Sequence, residues 1–378
     1  MATEVPTPPV IGFSPRVRKS PYFDATRRYG CTAYTVYNHM FMPTAYGDPV
    51  ADYWRLAKDV AACDVAVERQ VEIAGPDAFD LVRMLTPRNL EKLRVGQCKY
   101  VLLTDENGGI VNDPVLLRLA DDRFWLSLAD SDVLLWAKGV AHGSGMDVRL
   151  FEPDVSPLMI QGPKAADLAR DLFGDWVDDL KYFWFREVDL DGMPLLVART
   201  GYSGERAYEL YLRDGRFGDC LWERVVEAGQ TYNIGPATPS QISRIEAGLL
   251  SYGADMTLNE NPFELGLDRL VDLDQDVDFI GKAALRRIAA DGVERRMAGV
   301  EIHGPELPAV NEEPWPVEKD GRRVGKVTSC VYSPRLEKNI GFALLETLLA
   351  EPGTELTLKA SFGDAAMTVA PMPFLKSA

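Results

Sequence analysis

The segment YTVYNHM, Tyr34 to Met40, sets two tyrosines, an asparagine and a histidine side by side in a chain that holds only three histidines. Sulfonium and quaternary ammonium groups have no hydrogen-bond donor of their own, so proteins hold them with ring faces, at about 0.5–2 kcal/mol per contact. Tyr37 and its neighbours offer such faces. His39 reads either as a hydrogen-bonded structural histidine or as a donor to a substrate carboxylate. Two carboxylates stand out elsewhere. Asp113 follows a Gly-Gly turn and sits between Asn112 and Pro114, where an Asx turn is the plain reading and proton handling the chemical one. Glu209, in RAYELYL, shares a period-two face with Ala207 and Tyr211. That face is either solvated or the wall of a cavity.

Other chemistries find little support. The cysteines Cys31, Cys63, Cys98, Cys220 and Cys330 are scattered and odd in number, with no C-x-x-C pair to bind zinc or run redox chemistry. They read as reduced and mostly buried. His39, His142 and His303 are equally scattered, so no metal site is expected. No G-x-G-x-x-G, P-loop or G-x-S-x-G elbow occurs. A formal charge of −16, from 41 Lys+Arg against 57 Asp+Glu, argues against a nucleic-acid partner. The N-terminal segment lacks a signal-peptide core, and no run approaches the ~20 apolar residues of a spanning helix, so a cytoplasmic protein without membrane attachment is expected. What remains is chemistry by carboxylates and aromatic rings on a bound organic cofactor.

Those residues need elements to position them, and the chain of 378 residues is long enough for two to three cores. An internal repeat, IAGPDAFDLVRML at 73–85 against IQGPKAADLARDLFG at 160–174, has an extended run, a Gly-Pro step and a helix with proline early in its first turn. Each copy leads into strand-rich sequence, which predicts two related α+β lobes. After the first copy a meander is expected through CKYVLLT, IVNDPVLLRL and RFWLSL. After the second come FREVDL, the Asp191-Gly192 turn, MPLLVART and RAYELYL. A helix with Ile242, Ile245 and Leu249 on one face is expected in SQISRIEAGLLSYG. From about Arg296 the pattern is β, with hairpin signals at Asp320-Gly321 and Gly363-Asp364, predicting a small barrel or sandwich. The proline-containing opening and its basic cluster RVRKS read as an extended arm, residues 1–29.

GGIVNDP at 108–114, RTGYSGERAYEL at 199–210, RIEAGLLSYGADM at 244–256, FIGKAAL at 279–285 and VTSCVYSPRLEKNIG at 327–341 resemble, in order and spacing, the glycine cleavage T-protein family from about residue 30 onward. Within it, YTVYNHM, DVAVERQVEI, GQCKY, LADSD, EPDVSP and NPFELGLDRLVDLD are most similar to the dimethylsulfoniopropionate demethylases, as is the arm segment SPRVRKSPY. Residues 203–209, SGERAYE, depart from that subgroup. They are nearer to T-proteins and to the folate domains of sarcosine and dimethylglycine dehydrogenases.

The resemblance implies a three-domain α+β cloverleaf: two ferredoxin-like lobes, residues 30–63 with 156–285 and residues 64–155, and a C-terminal β-barrel or jelly roll, residues 286–378. It implies tetrahydrofolate as cofactor and transfer of a methyl group from a small zwitterionic sulfonium acid to its N5, with a homodimer left open. Asp113 then matches the acidic residue beside N5, and Glu209 the carboxylate at the pterin's amino-pyrimidinone edge. Tyr100, Phe183, Tyr202 and Tyr252 match positions lining the folate pocket, and Arg244 is the cation for the glutamyl tail. Tyr211, Tyr37, Tyr22 and His39 are the donor-binding residues. Aminomethyl transfer, another folate-dependent N- or O-demethylation and non-catalytic folate binding are the alternatives.

Overall fold

A computed structural model describes residues 12–375. One sheet has six strands in the order Phe185–Leu190, Met193–Ala198, Ala207–Leu212, Ser156–Gln161, Ala61–Asp64 and Gly235–Ala237, antiparallel except for the last pair. Helices Ala165–Phe173 and Gly218–Gly229 present Leu168, Leu172, Trp222 and Val225 to a core shared with Tyr208, Leu210 and Leu212. A second, five-stranded antiparallel sheet has the order Arg149–Phe151, Gln70–Ala74, Arg123–Ser127, Val115–Ala120 and Cys98–Tyr100. Its helices, Ala78–Leu85 and Val133–Ser144, close a separate core. The remaining faces of the two sheets meet through Cys98, Leu117 and Trp125 on one side and Phe185, Leu196, Ala198 and Tyr211 on the other. The strand Ala207–Leu212 lies between this junction and the helix-packed core, so both its faces are covered, which explains why RAYELYL is buried at all six strand positions.

The internal repeat builds the same corner twice. Gly75 and Gly162 have φ +136° and +129°, and a Cβ at either would lie 2.7 Å from the Asp147 carbonyl or 2.5 Å from the Asp59 carbonyl. Glycine is required for both reasons. The prolines Pro76 and Pro163 lie just before the N-cap residues Asp77 and Lys164, not inside the first turn as the spacing suggests. The chain turns at the glycine first, and the helix starts only after that turn is complete.

The C-terminal part is a closed barrel of six strands, in the order Arg295–Ile302, Lys338–Glu346, Arg322–Ser333, Trp315–Lys319, Glu355–Ala360 and Gly363–Ala370. Closure leaves no free sheet edge. The Asp320-Gly321 turn is present, with φ 51° and 77°, whereas the last hairpin turns at Ser361-Phe362, two residues before the expected step.

Four local features, three of them departures from the sequence reading, matter for the site. The meander breaks at Asp113-Pro114: Leu103–Thr104 pairs with Ile110–Asn112 as a ladder of its own, and Val115–Ala120 joins the five-stranded sheet. Proline cannot donate to a ladder, so Asp113 sits where the chain leaves one sheet for the next. The helix expected across 240–253 covers only Gln241–Glu246. Gly248, at φ +72°, ends it, with Leu249 N–H returning 2.8 Å to the Arg244 carbonyl. YTVYNHM is a hairpin, Ala33–Tyr37 paired with Met40–Ala45, turning on Asn38 and His39 at φ 49° and 61°. Finally, the arm is not extended throughout: Phe23–Arg28 form a helix whose Phe23 and Ala25 are buried, while residues 1–11 lie outside the described part.

Candidate functional site

The sheet break at Pro114 aims the Asp113 carboxylate into the space between the lobes. Its Oδ2 accepts from the Tyr100 hydroxyl at 3.0 Å, and its Oδ1 is shut off from solvent without any protein partner. Burial is the main force on this group and lifts its pKa to about 7, against the lowering effect of the Tyr100 bond. A buried polar atom with no partner costs stability. Asp113 Oδ1 is thus an acceptor that the protein itself leaves unused.

Two neighbouring motifs fix that loop. Asn112 donates to the Ala129 carbonyl at 3.1 Å and to Ser131 Oγ at 2.9 Å, and accepts from Ala129 N–H at 3.2 Å. Asn38, at the hairpin turn, donates to the Val67 and Ala129 carbonyls, both at 3.0 Å, and accepts from Ser131 N–H at 3.1 Å. The hairpin tip is thus pinned to the LADSD loop and to the chain crossing at Val67. Tyr37 is half-buried beside it, and its hydroxyl feels first burial and then the carboxylates of Glu68 and Asp113, which raise its pKa well above normal.

Glu209 lies on the strand Ala207–Leu212 of the larger sheet and, like Asp113, is within electrostatic reach of Glu68. Its Oε2 accepts from Thr200 Oγ1 at 2.7 Å and from the Tyr211 hydroxyl at 2.6 Å. That leaves Oε1 without a protein hydrogen bond among the described residues. Burial raises the Glu209 pKa despite these two donors.

Glu68 is the residue that the sequence reading passed over. It lies on the crossing between strand Ala61–Asp64 of one sheet and strand Gln70–Ala74 of the other. Burial, then the Glu209 and Asp113 carboxylates, push its pKa well above the usual range. The signal in the sequence was the run Glu68, Arg69, Gln70 and Glu72 within an apolar strand pattern, which left charged groups nowhere to go but inside.

The aromatic residues divide. Tyr100, Tyr202 and Tyr252 are half-buried around Asp113 and raise or receive its field, Tyr202 being fixed by a 2.8 Å bond to the Leu250 carbonyl. Phe183 is held at φ +60°, an uncommon angle for an aromatic residue; its carbonyl accepts from Cys98 N–H at 2.8 Å and its N–H donates to the Arg199 carbonyl at 3.0 Å. Such strain costs about 1–3 kcal/mol and persists where neighbours impose it. Tyr211 is fully buried in the inter-lobe core and uses its hydroxyl on Glu209. It orients the carboxylate, where the sequence reading expects a ring against the donor.

Three expected site residues are elsewhere. Arg244 is buried, and four of its five guanidinium N–H groups go to Asp255, Ser329, Gln241 and the Leu249 carbonyl at 2.7, 2.8, 2.6 and 3.1 Å. Enclosure, not a lack of N–H groups, keeps it from a glutamyl tail, because the short helix turns the side chain toward the barrel, where it is 2% exposed. His39 is exposed at the outer side of the hairpin turn, 3.3 Å from Asp132. Tyr22 belongs to the core of the larger lobe, and its hydroxyl donates to the Ser156 carbonyl at 2.8 Å. In the divergent stretch 203–209, Glu205 pairs with Arg335 of the barrel at 3.1 Å, and Arg206 donates to the Tyr208 hydroxyl at 2.9 Å. Those substitutions fasten the loop to its surroundings.

The acceptor set, an unpaired buried Asp113 oxygen and a free Glu209 oxygen, together with several ring faces, fits a flat heterocycle rich in N–H groups. No cluster of metal-binding side chains occurs among the described residues, and no helix among them is long and apolar enough to cross a membrane. The GCVT N-terminal domain matches residues 22–275, and the glycine cleavage T-protein C-terminal barrel domain matches residues 295–376. The chain belongs to the glycine cleavage T-protein family. It is an enzyme, a transferase dependent on tetrahydrofolate.

Among curated relatives, the dimethylsulfoniopropionate demethylase of Ruegeria pomeroyi is 40% identical over 94% of this chain and 97% of its own length. The aminomethyltransferase of Thermoanaerobacter pseudethanolicus is 28% identical over 90% of this chain and 93% of its own. The crystal structure of the glycine cleavage system aminomethyltransferase T from Bartonella henselae superposes with a TM-score of 0.86 at 22% identity, covering 96% of this chain and 99% of that one. That likeness establishes the fold.

Proposed function

We propose that the enzyme demethylates a sulfonium acid of the dimethylsulfoniopropionate type, giving a methylthio acid and 5-methyltetrahydrofolate. The observation that carries this reading is the 40% identity to a demethylase along nearly the whole chain, against 28% to the aminomethyltransferase. Tetrahydrofolate supplies, when bound, the N5 nitrogen that accepts the one-carbon unit. Asp113 receives the displaced proton at the oxygen that has no protein partner, while Tyr100 keeps the other oxygen fixed. Glu209 holds the amino-pyrimidinone edge through its free oxygen, with Thr200 and Tyr211 setting its direction. The rings of Tyr37, Tyr100 and Tyr252 exclude water and steady the cation. A sulfonium donor needs little more than alignment, since the S–C bonding pair stays on sulfur and a neutral thioether leaves.

The glutamyl tail, without Arg244, falls to Arg88 and Arg269. Arg88 donates to the Tyr100 carbonyl, Arg269 is near enough to depress the Arg88 pKa after burial has done so, and neither has a carboxylate partner among the described residues. Arg269→Glu should weaken tetrahydrofolate binding about tenfold, with donor binding untouched. Equal folate titration curves for the two proteins would remove Arg269 from the site.

The donor is tested by mixing the protein with tetrahydrofolate and a panel of sulfonium acids, betaines and methylated amines, and assaying products. Methylthiopropionate from dimethylsulfoniopropionate, formed faster than any demethylated amine, is the expected result. Faster turnover of a betaine or methylated amine overturns the reading. Release of ammonia from an aminomethyl-lipoyl carrier would instead favour the aminomethyltransferase reading, to which the 203–209 stretch is nearer.

A further inference from the structure

We propose that Glu68 is the specificity residue for the donor's positive charge, distinguishing the onium substrate from the neutral-sulfur product. This rests on the reading of the cavity as a folate and onium site. The chain reverses direction at the crossing, with Glu68 N–H on the Val65 carbonyl and Arg69 N–H on the Val67 carbonyl, both at 2.9 Å. The Asn38 amide clamps the Val67 carbonyl at 3.0 Å, and the Gln70 amide donates to the Glu68 carbonyl. The backbone on both sides of Glu68 is therefore fixed, and fixed by the same hairpin that carries Tyr37.

Its neighbour Arg69 does not neutralise it. That guanidinium is drawn away to Glu152, which also takes Arg18. Among the described residues the Glu68 carboxylate makes no hydrogen bond and no ion pair, although it is at most half-exposed. The carboxylates of Glu209 and Asp113 are within electrostatic reach of Glu68 and, after burial, push its pKa up, and the Tyr37 and Tyr211 hydroxyls feel the Glu68 charge in turn. Asp113 and Glu209 have cofactor edges to meet. Glu68 has none, and a partly buried carboxylate without a partner is costly until a positive charge arrives.

An onium group meets that need and no hydrogen-bond donor is required, because its charge is spread over methyl groups that pack on the Tyr37 face. Once the methyl has left, the sulfur is neutral while the acid's own carboxylate remains. Glu68 then repels what it had attracted, which favours product release. The same residue so serves both entry and exit.

The test is binding without turnover. Wild-type and Glu68→Gln proteins are titrated calorimetrically with dimethylsulfoniopropionate, with glycine betaine, with methylthiopropionate and separately with tetrahydrofolate. The expected result is a rise of about 10- to 100-fold in the Kd of both cations for Glu68→Gln. Methylthiopropionate should bind the variant as well as or better than the parent, and tetrahydrofolate within about twofold. Glu68→Asp, which keeps the charge, should keep the preference for cations over methylthiopropionate. Unchanged cation affinity, a parallel loss for cations and thioether, a loss confined to folate, or a parent protein that binds neither cation each overturns the proposal. If the parent turns over no sulfonium and the variant still loses cation binding selectively, the inference about Glu68 stands and the donor assignment falls.

Discussion

Asp113→Asn should lower kcat by about 10²- to 10⁴-fold, the range expected for losing a positioned proton acceptor, while tetrahydrofolate affinity changes far less. In the parent, activity should climb as pH rises toward about 7 and level off above it, since the group acts as the carboxylate and its pKa lies near 7. The variant's residual activity should lack that rise. Stability moves the other way. A carboxyl with a folded pKa above its unfolded value binds more protons in the native state between the two, so native stability falls as pH rises from about 4 to about 7. Asparagine removes that loss. Thermal unfolding should show the variant more stable than the parent at pH 8, with the gap closing toward pH 4. A flat kcat, or a variant less stable than the parent at pH 8, would mean that Asp113 serves the loop and not the chemistry.

Arg244→Ala should cost about 3–5 kcal/mol in urea unfolding, because it leaves a fully buried charge without its counter-ion. The Arg244 and Asp255 side chains are 2% and 0% exposed and 2.7 Å apart. Asp255 also takes Thr328 and Ser329 hydroxyls at 2.6 Å each and the Ser251 N–H at 2.9 Å. This network ties helix Gln241–Glu246 to barrel strand Arg322–Ser333. The double change Arg244→Ala with Asp255→Ala should recover part of the loss. A cost below about 1 kcal/mol for the single change would show that water replaces the guanidinium, contrary to so complete an enclosure.

The repeat at Gly75 and Gly162, the Asp191-Gly192 turn and the β-rich end were legible because each rests on a local rule of glycine conformation or strand alternation. Asp113 was legible as a residue with two readings, but not its place at the break at Pro114, which depends on where the next strand finds its partner. Arg244 was misplaced because its helix stops at Gly248, sending the side chain toward the barrel and away from the cofactor. Tyr22 failed for a different reason. A tyrosine after a basic arm looks accessible in sequence, yet the following helix carries it into the larger core. Glu68 had a local signal in the charged run 68–72, but the approach of the Asp113 and Glu209 carboxylates from distant segments is recorded in no spacing.

Strands Ala61–Asp64 and Ser156–Gln161 are adjacent in one sheet, with Asp64 opposite Leu158, although 91 residues, 65 to 155, intervene. The smaller lobe therefore has the topology of an insert: it departs and returns at one place, and a short β-turn could bridge the scar. Excising it would leave the six-stranded sheet continuous, with Glu209, Thr200 and Tyr211 in place, but without Glu68, Tyr100 or Asp113. Cofactor grip and reaction would be divided between host and guest, so exchanging the guest among relatives offers a way to change the donor while the folate-holding half keeps its own sequence.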